Sequence, residues 1–166
     1  GFTMEDTRVQ ILKFIEKNCK VDPKELAVLL GTDEATVLRE IKAMEQEGII
    51  CGYHTMIDWD KAGVEQVNAL IEVRVTPQRG KGFEKLAERI YNYPEVSSVS
   101  LISGAYDFLV TLEGKTLLEV SRFVSERLSP IEGITSTATH FILKKYKDHG
   151  TILAQKEQEE RMLVTP

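Results

Sequence analysis

Along the first 58 residues apolar positions recur at the three- and four-residue spacings of a single helix face, and the pattern predicts three short helices. Val9, Ile11, Leu12 and Ile15 form a stripe on a helix from about Glu5 to Asn18. Asp22-Pro23 opens a second helix, because Asp accepts from free backbone N–H groups and Pro suits the first helical position; it runs through Leu26, Leu29 and Leu30 to Gly31. Thr32 or Asp33 caps a third helix, with Val37, Ile41 and Met44 inward and Gly48 as its left-handed stop. Ile49 to Ile57 then reads as extended chain with a turn near Cys51-Gly52, either a β-wing or a strand leaving the unit.

Beyond a polar hinge at 59–66 the period changes to two. Val67, Ala69, Ile71, Val73 and Val75 line one face of a strand. A helix follows the Gly80/Gly82 segment with Phe83, Leu86, Ala87, Ile90 and Tyr91 on its stripe, and Pro94 stops it. A second strand over Val96–Ser103 turns at Gly104-Ala105-Tyr106-Asp107 into a third carrying Phe108, Val110 and Leu112. A helix with Leu117, Val120, Val124 and Leu128 ends at Pro130, and a last strand runs from Ile134 to about Tyr146. The order is βαββαβ, an α+β ferredoxin-like arrangement behind an N-terminal winged helix-turn-helix. The expected organisation is residues 1–58 as the helix-turn-helix domain, 59–66 as hinge, 67–150 as the second domain and 151–166 as a charged helical tail. Helices on one side leave the other sheet face uncovered; Leu70, Val99, Leu101, Phe141 and Leu143 are expected on it, and such a face favours pairing of subunits.

Composition fits an ordinary globular chain, with 42% hydrophobic and 28% charged residues. No run approaches the length of a membrane span and no basic-then-apolar leader opens the sequence, so a cytoplasmic location without membrane contact is expected. Cys19 and Cys51 stand without a Cys-x-x-Cys or a neighbouring His and read as packing residues, and no metal or cofactor is expected. Residues 1–60 hold seven Lys/Arg against twelve Asp/Glu, which accounts for the whole net charge of −5. A single copy therefore neutralises few phosphates, and useful duplex binding requires several heads on one platform.

Three short helices with a tight turn before the third let that helix enter a DNA major groove. Its outward residues, Thr32, Glu34, Ala35, Thr36, Leu38, Arg39 and Lys42, are the candidate duplex contacts, with Lys24 and His54 as backbone contacts. Arg39 forks onto guanine or phosphate, Thr36 donates or accepts, and Ala35 touches a thymine methyl; Glu34 and Glu40 repel phosphate unless they accept from cytosine or point away. There is no Gly-rich phosphate loop, no nucleophile elbow and no Cys/His cluster, and His54, His140 and His149 are dispersed, so no enzymatic activity is expected.

The stretch from Leu30 to Tyr53, with its Gly48-Ile49-Ile50-Cys51-Gly52-Tyr53 exit, resembles the helix-turn-helix of the Lrp/AsnC (feast/famine) transcription regulators. Ser103-Gly104-Ala105-Tyr106-Asp107-Phe108 and Gly133-Ile134-Thr135-Ser136-Thr137-Ala138-Thr139, followed by Leu143-Lys144, are similar to that family's ligand-sensing (ACT-like/RAM) domain. The resemblance implies a sequence-specific DNA-binding regulator that dimerises through its sheets, assembles to octamers, and changes oligomeric state or head spacing when it binds an amino acid or related metabolite. It places effector contacts at Ser103, Gly104, Ala105, Tyr106, Asp107, Thr135 and Thr137, with backbone N–H groups of the turn holding a carboxylate and Asp107 or a threonine hydroxyl taking an ammonium. Glu40 and Ala43 depart from it, where the family more often has basic residues. Two other readings share the architecture: a sirohaem-decarboxylase-like enzyme, for which Arg74 and His140 are the obvious groups, and an amino-acid sensor that has lost DNA binding.

Overall fold

The computed structural model describes residues 4–76 and 82–153 of the 166. The chain divides into two compact units, Gly1–Ile57 and Asp58–Pro166.

In the first unit the helices are α1 (Met4–Lys17), α2 (Pro23–Leu30) and α3 (Glu34–Gln46). Their starts and stops are chemical. An Asp22 carboxylate oxygen accepts from the Lys24 N–H at 3.0 Å, and Gly31 leaves α2 at φ 67°. Asp33, rather than Thr32, caps α3 by accepting the Thr36 N–H at 2.7 Å, and Gly48 (φ 76°) ends it. Burial of Ile11, Leu26, Ala27, Val37 and Met44 forms the core, with Leu12, Ile15, Leu30, Ile41 and Ile50 partly covered around it. Val9 and Leu29 are exposed, because the stripes of α1 and α2 are centred one residue away from them. After α3, residues 51–57 are exposed and form no strand, so no β-wing is present among the described residues, and the Tyr53 hydroxyl donates back to a Glu45 carboxylate oxygen at 3.2 Å.

The second unit contains β1 (Val67–Val75), α4 (Glu84–Tyr91), β2 (Ser98–Leu101), β3 (Phe108–Lys115), α5 (Leu117–Phe123), which continues as a π-turn over Val124–Leu128, and β4 (Ile134–Phe141). The sheet is antiparallel in the order β2-β3-β1-β4, so β1 lies between β3 and β4 and each helix crosses between non-adjacent strands. Ala69, Ile71, Val73, Phe108, Val110 and Leu112 point to one side, where they are buried against Leu86, Ile90, Val120, Phe123 and Leu128. Phe83 packs edge-on to Phe108 at 5.9 Å, and Tyr93 to Phe123 at 5.6 Å.

The register revises the expected open face. Val99 pairs with Val110 and Phe141 with Ala69, and directly opposed residues share a face, so Val99 and Phe141 belong to the helix-covered side. Leu101 opposes Phe108 on that side too, and remains exposed at the sheet edge. Leu143 lies beyond β4 and is 96% exposed. The open face instead carries Leu70, Glu72, Arg74, Leu109, Thr111, Ser136, Ala138 and His140, a mixture of small, polar and a few apolar groups.

The last strand is shorter than the sequence predicts. Its final bond runs from the Ile142 N–H to the Asn68 carbonyl, where β1 itself begins, so β4 has no partner further on. The chain then forms a small hairpin, β5 (Lys147–Asp148) with β6 (Thr151–Ile152), turned by His149 (φ 45°) and Gly150 (φ 82°). The expected tail helix thus gives its first residues to β6, and from residue 154 it lies outside the described residues. Among the described residues no helix is long and apolar enough to cross a membrane.

Candidate nucleic-acid interface and ligand turn

The helical period gives α3 two faces. Val37, Glu40 and Met44 are buried, Ile41 and Ala43 half-buried, while Ala35, Leu38, Arg39 and Lys42 are exposed as one contiguous stripe. Glu34, Thr32 and Thr36 are half-buried at its N-terminal end. The Arg39 guanidinium reaches back to the Thr36 hydroxyl at 3.5 Å, so these two polar residues share one patch. The Thr36 hydroxyl and backbone N–H hold the Asp33 carboxyl below its usual range, which keeps that cap ionised. Lys24 is exposed at the start of α2, and His54 is exposed in the segment after α3.

Glu40 is 6% exposed and does not face outward. Its carboxylate accepts from Arg8 Nε of α1 at 2.6 Å, and a second nitrogen of the same guanidinium lies 2.8 Å from a Glu47 oxygen. The hydrogen bond to Glu40, with that to Glu47, raises the Arg8 pKa further above its already high value. A carboxylate that looked costly beside phosphate is therefore neutralised inside the unit and ties α3 to α1. Ala43, the second departure from the family pattern, also lies on the half-buried side. Thirty-two residues separate Arg8 from Glu40, so no local spacing signals this pair.

Both cysteines are exposed, contrary to their reading as packing residues. Cys19 sits between α1 and α2 and Cys51 after α3, off the helix faces that build the core, and the Cys51 thiol donates to the Gly48 carbonyl at 3.2 Å. Among the described residues no group of three His, Cys, Asp or Glu is placed to hold a metal ion.

In the second unit, the turn 103–107 precedes β3 and Thr135 and Thr137 begin β4; both lie at the end of the sheet where β1 finishes, since Val73 opposes Phe108 on one side and Thr137 on the other. The Ile102 N–H donates to the Asp107 carbonyl at 2.8 Å and closes the hairpin. Asp107 is fixed twice to β1: its N–H donates to the Val73 carbonyl at 2.9 Å, and its carboxylate accepts the Val75 N–H at 2.8 Å. The Thr135 hydroxyl donates to the Arg74 carbonyl at 3.1 Å, and the Thr137 hydroxyl lies 3.4 Å from that of Ser129. Ser103, Gly104 and Ala105 are exposed and Tyr106 half-buried. The turn's backbone is thus presented to solvent while its one acid serves the fold. Ser129, which follows the π-turn, joins this end of the sheet without any motif to announce it.

Arg74 and His140 share the open face but do not converge. Arg74 opposes Ser136 and His140 opposes Leu70, a separation of four residues, about 13 Å along β1. His140 Nε2 instead lies 3.5 Å from a Glu72 oxygen.

Residues 68–152 match the model of the Lrp/AsnC ligand binding domain, and residues 4–50 match a winged helix-turn-helix DNA-binding model. The chain belongs to the Lrp/AsnC family. It is 42% identical to the uncharacterized HTH-type transcriptional regulator YugG of Bacillus subtilis (strain 168), over 98% of this chain and 99% of the relative. It is 27% identical to the proline dehydrogenase transcriptional activator of Rhodobacter capsulatus, over 85% of this chain and 91% of that one. Among solved structures it shares its fold with the transcriptional regulator NMB0573/L-Met complex from Neisseria meningitidis, at a TM-score of 0.69 and 22% identity over 93% of this chain and 99% of that one. This Lrp/AsnC chain accordingly combines a DNA-binding helix-turn-helix with a small-molecule-binding domain, the organisation of a transcriptional regulator.

Proposed function

We propose that this chain is a homo-oligomeric regulator that reads duplex DNA through α3 and changes its oligomeric state or head spacing when an amino acid or related metabolite seats beside the Gly104–Asp107 turn. The observation that carries the DNA reading is the division of α3: its central acid, Glu40, is buried against Arg8, and Ala35, Leu38, Arg39 and Lys42 form the exposed stripe. Arg39 has the geometry to take the guanine edge or a phosphate. Support for the effector comes from the matched ligand-binding domain and from the solvent-facing backbone of residues 103–105, which offers N–H groups to a carboxylate. Support for pairing comes from a sheet covered on one side only, since a two-layer unit leaves the face bearing Leu70 and Leu109 without a partner from its own helices. Two heads on a dimer sit about 34 Å apart on one duplex face, and a ligand at the subunit junction alters that spacing. Further assembly, to an octamer, is the extension of the same pairing.

The test uses a duplex selected by the full-length protein from a random-sequence pool. Arg39→Ala is expected to weaken binding to that duplex while the mass in solution is unchanged; undiminished affinity refutes the role of α3. Thermal-shift screening against the twenty amino acids tests the effector, because a ligand that binds only the folded form raises Tm. Gly104→Trp is expected to abolish that shift.

A further inference from the structure

We propose that α3 selects its site chiefly by pyrimidine 5-methyl groups in the major groove, through Leu38 together with Ala35. The proposal rests on α3 being the reading helix and names the chemistry it reads. Leu38 is a leucine in the middle of a helix whose other large apolar residues, Val37, Ile41 and Met44, all turn inward, yet it is 47% exposed. It stands three residues from Ala35 and four from Lys42, so the exposed stripe is apolar in its N-terminal half and cationic in its C-terminal half.

The N-terminal half of such a helix reaches furthest toward base edges. The polar candidates there, Thr32, Glu34 and Thr36, are half-buried, whereas Ala35 and Leu38 are exposed. The Asp33 carboxylate is held by the Thr36 N–H and the Thr36 hydroxyl by Arg39, while Glu34 can only accept, from an amino group of cytosine or adenine. A branched apolar side chain in a major groove has one matching feature, the C5 methyl of thymine or of 5-methylcytosine. Ala35 leaves room for the helix to approach, and Arg39 and Lys42 hold the flanking phosphates or a guanine. Three residues of helix rise about 4.5 Å, between one and two base-pair steps of about 3.4 Å, so Ala35 and Leu38 address methyl groups no more than two pairs apart.

The test measures binding of the full-length protein, by fluorescence anisotropy, to a duplex it has selected from a random pool and to copies in which single thymines are replaced by uracil, a change that removes the methyl alone. At one or two positions per half-site, uracil is expected to weaken binding about 4-fold, the worth of one buried methylene. Leu38→Ala is expected to bind thymine and uracil copies equally there while keeping its affinity for unrelated duplex; Leu38→Met retains part of the discrimination. Restoring the methyl as 5-methylcytosine at a cytosine-substituted position separates recognition of the methyl from recognition of the thymine ring: recovered affinity supports methyl reading, and none overturns it. Insensitivity to uracil at every position, or full discrimination by Leu38→Ala, also overturns the proposal. If uracil has no effect but Arg39→Ala and Lys42→Ala still weaken binding, the methyl reading fails and the reading helix stands. If no substitution at 38, 39 or 42 alters binding, α3 itself is wrongly assigned.

Discussion

Salt dependence of DNA binding follows from which cations of the N-terminal unit are free to meet phosphate. Of its seven Lys/Arg, Arg8 is held between Glu40 and Glu47, Arg39 and Lys42 lie on the exposed stripe of α3, and Lys24 is exposed at the start of α2. Two heads on one duplex then neutralise about six phosphates, and at about 0.9 per phosphate the slope of log affinity against log salt is about −5. Between 50 and 200 mM salt the affinity accordingly falls by about a thousandfold. Lys42→Ala removes one contact per head and softens the slope by about 2, with similar effect on selected and unrelated duplexes, because a phosphate contact carries no sequence information. Anisotropy titrations at five salt concentrations give both slopes. A parent slope near −9 or steeper would place the decisive cations outside α2 and α3, and an unchanged slope in Lys42→Ala would remove that lysine from the interface.

Three other outcomes are expected. Glu40→Lys sets a second cation against Arg8 and lowers Tm, and adding Arg8→Glu recovers most of the loss; a double variant no more stable than Glu40→Lys would show that the pair does not hold α1 to α3. The Asp33 carboxyl has a folded pKa below its ordinary 3.8, chiefly through Thr36, so its contribution is complete above that value and is lost as pH falls through the folded pKa. Asp33→Ala is therefore less stable than the parent at neutral pH and converges with it in strong acid, as acid-titration circular dichroism will show; a constant difference down to the lowest pH contradicts the cap. Gly133 has φ 99°, and a Cβ there meets Leu86 Cδ1 at 3.3 Å, so Gly133→Ala costs about 1–3 kcal/mol in urea unfolding, and a neutral substitution would mean that the strand entry relaxes freely.

Periodicity made most of the fold legible. The stripes through Leu26, Val37 and Met44, the alternation from Ala69 to Val73, and the stops at Gly31 and Gly48 are local signals, and each appears where the pattern predicts it. What failed was relational. Whether Val99 and Phe141 face the helices depends on which residue each strand opposes, and register is set by the whole sheet, not by either strand alone. β4 ends at Phe141 because β1 begins opposite it, a limit that Ile142 to Tyr146 do not encode. The exposed stripe of α3 could be read from spacing, whereas the fate of Glu40 could not, since its partner comes from another helix. Ser129 beside Thr137 was equally invisible, being brought there by the chain's return through α5 and the π-turn.

Asp107 binds the central strand through both its main chain and its carboxylate. The turn it closes is consequently no hinged flap: to shift it is to pull on β1, and β1 is laced to both neighbours along nearly its whole length. A molecule wedged at this rim would load the sheet as one stiff plate, so its influence travels as a tilt of the whole plate and not as the rearrangement of a loop.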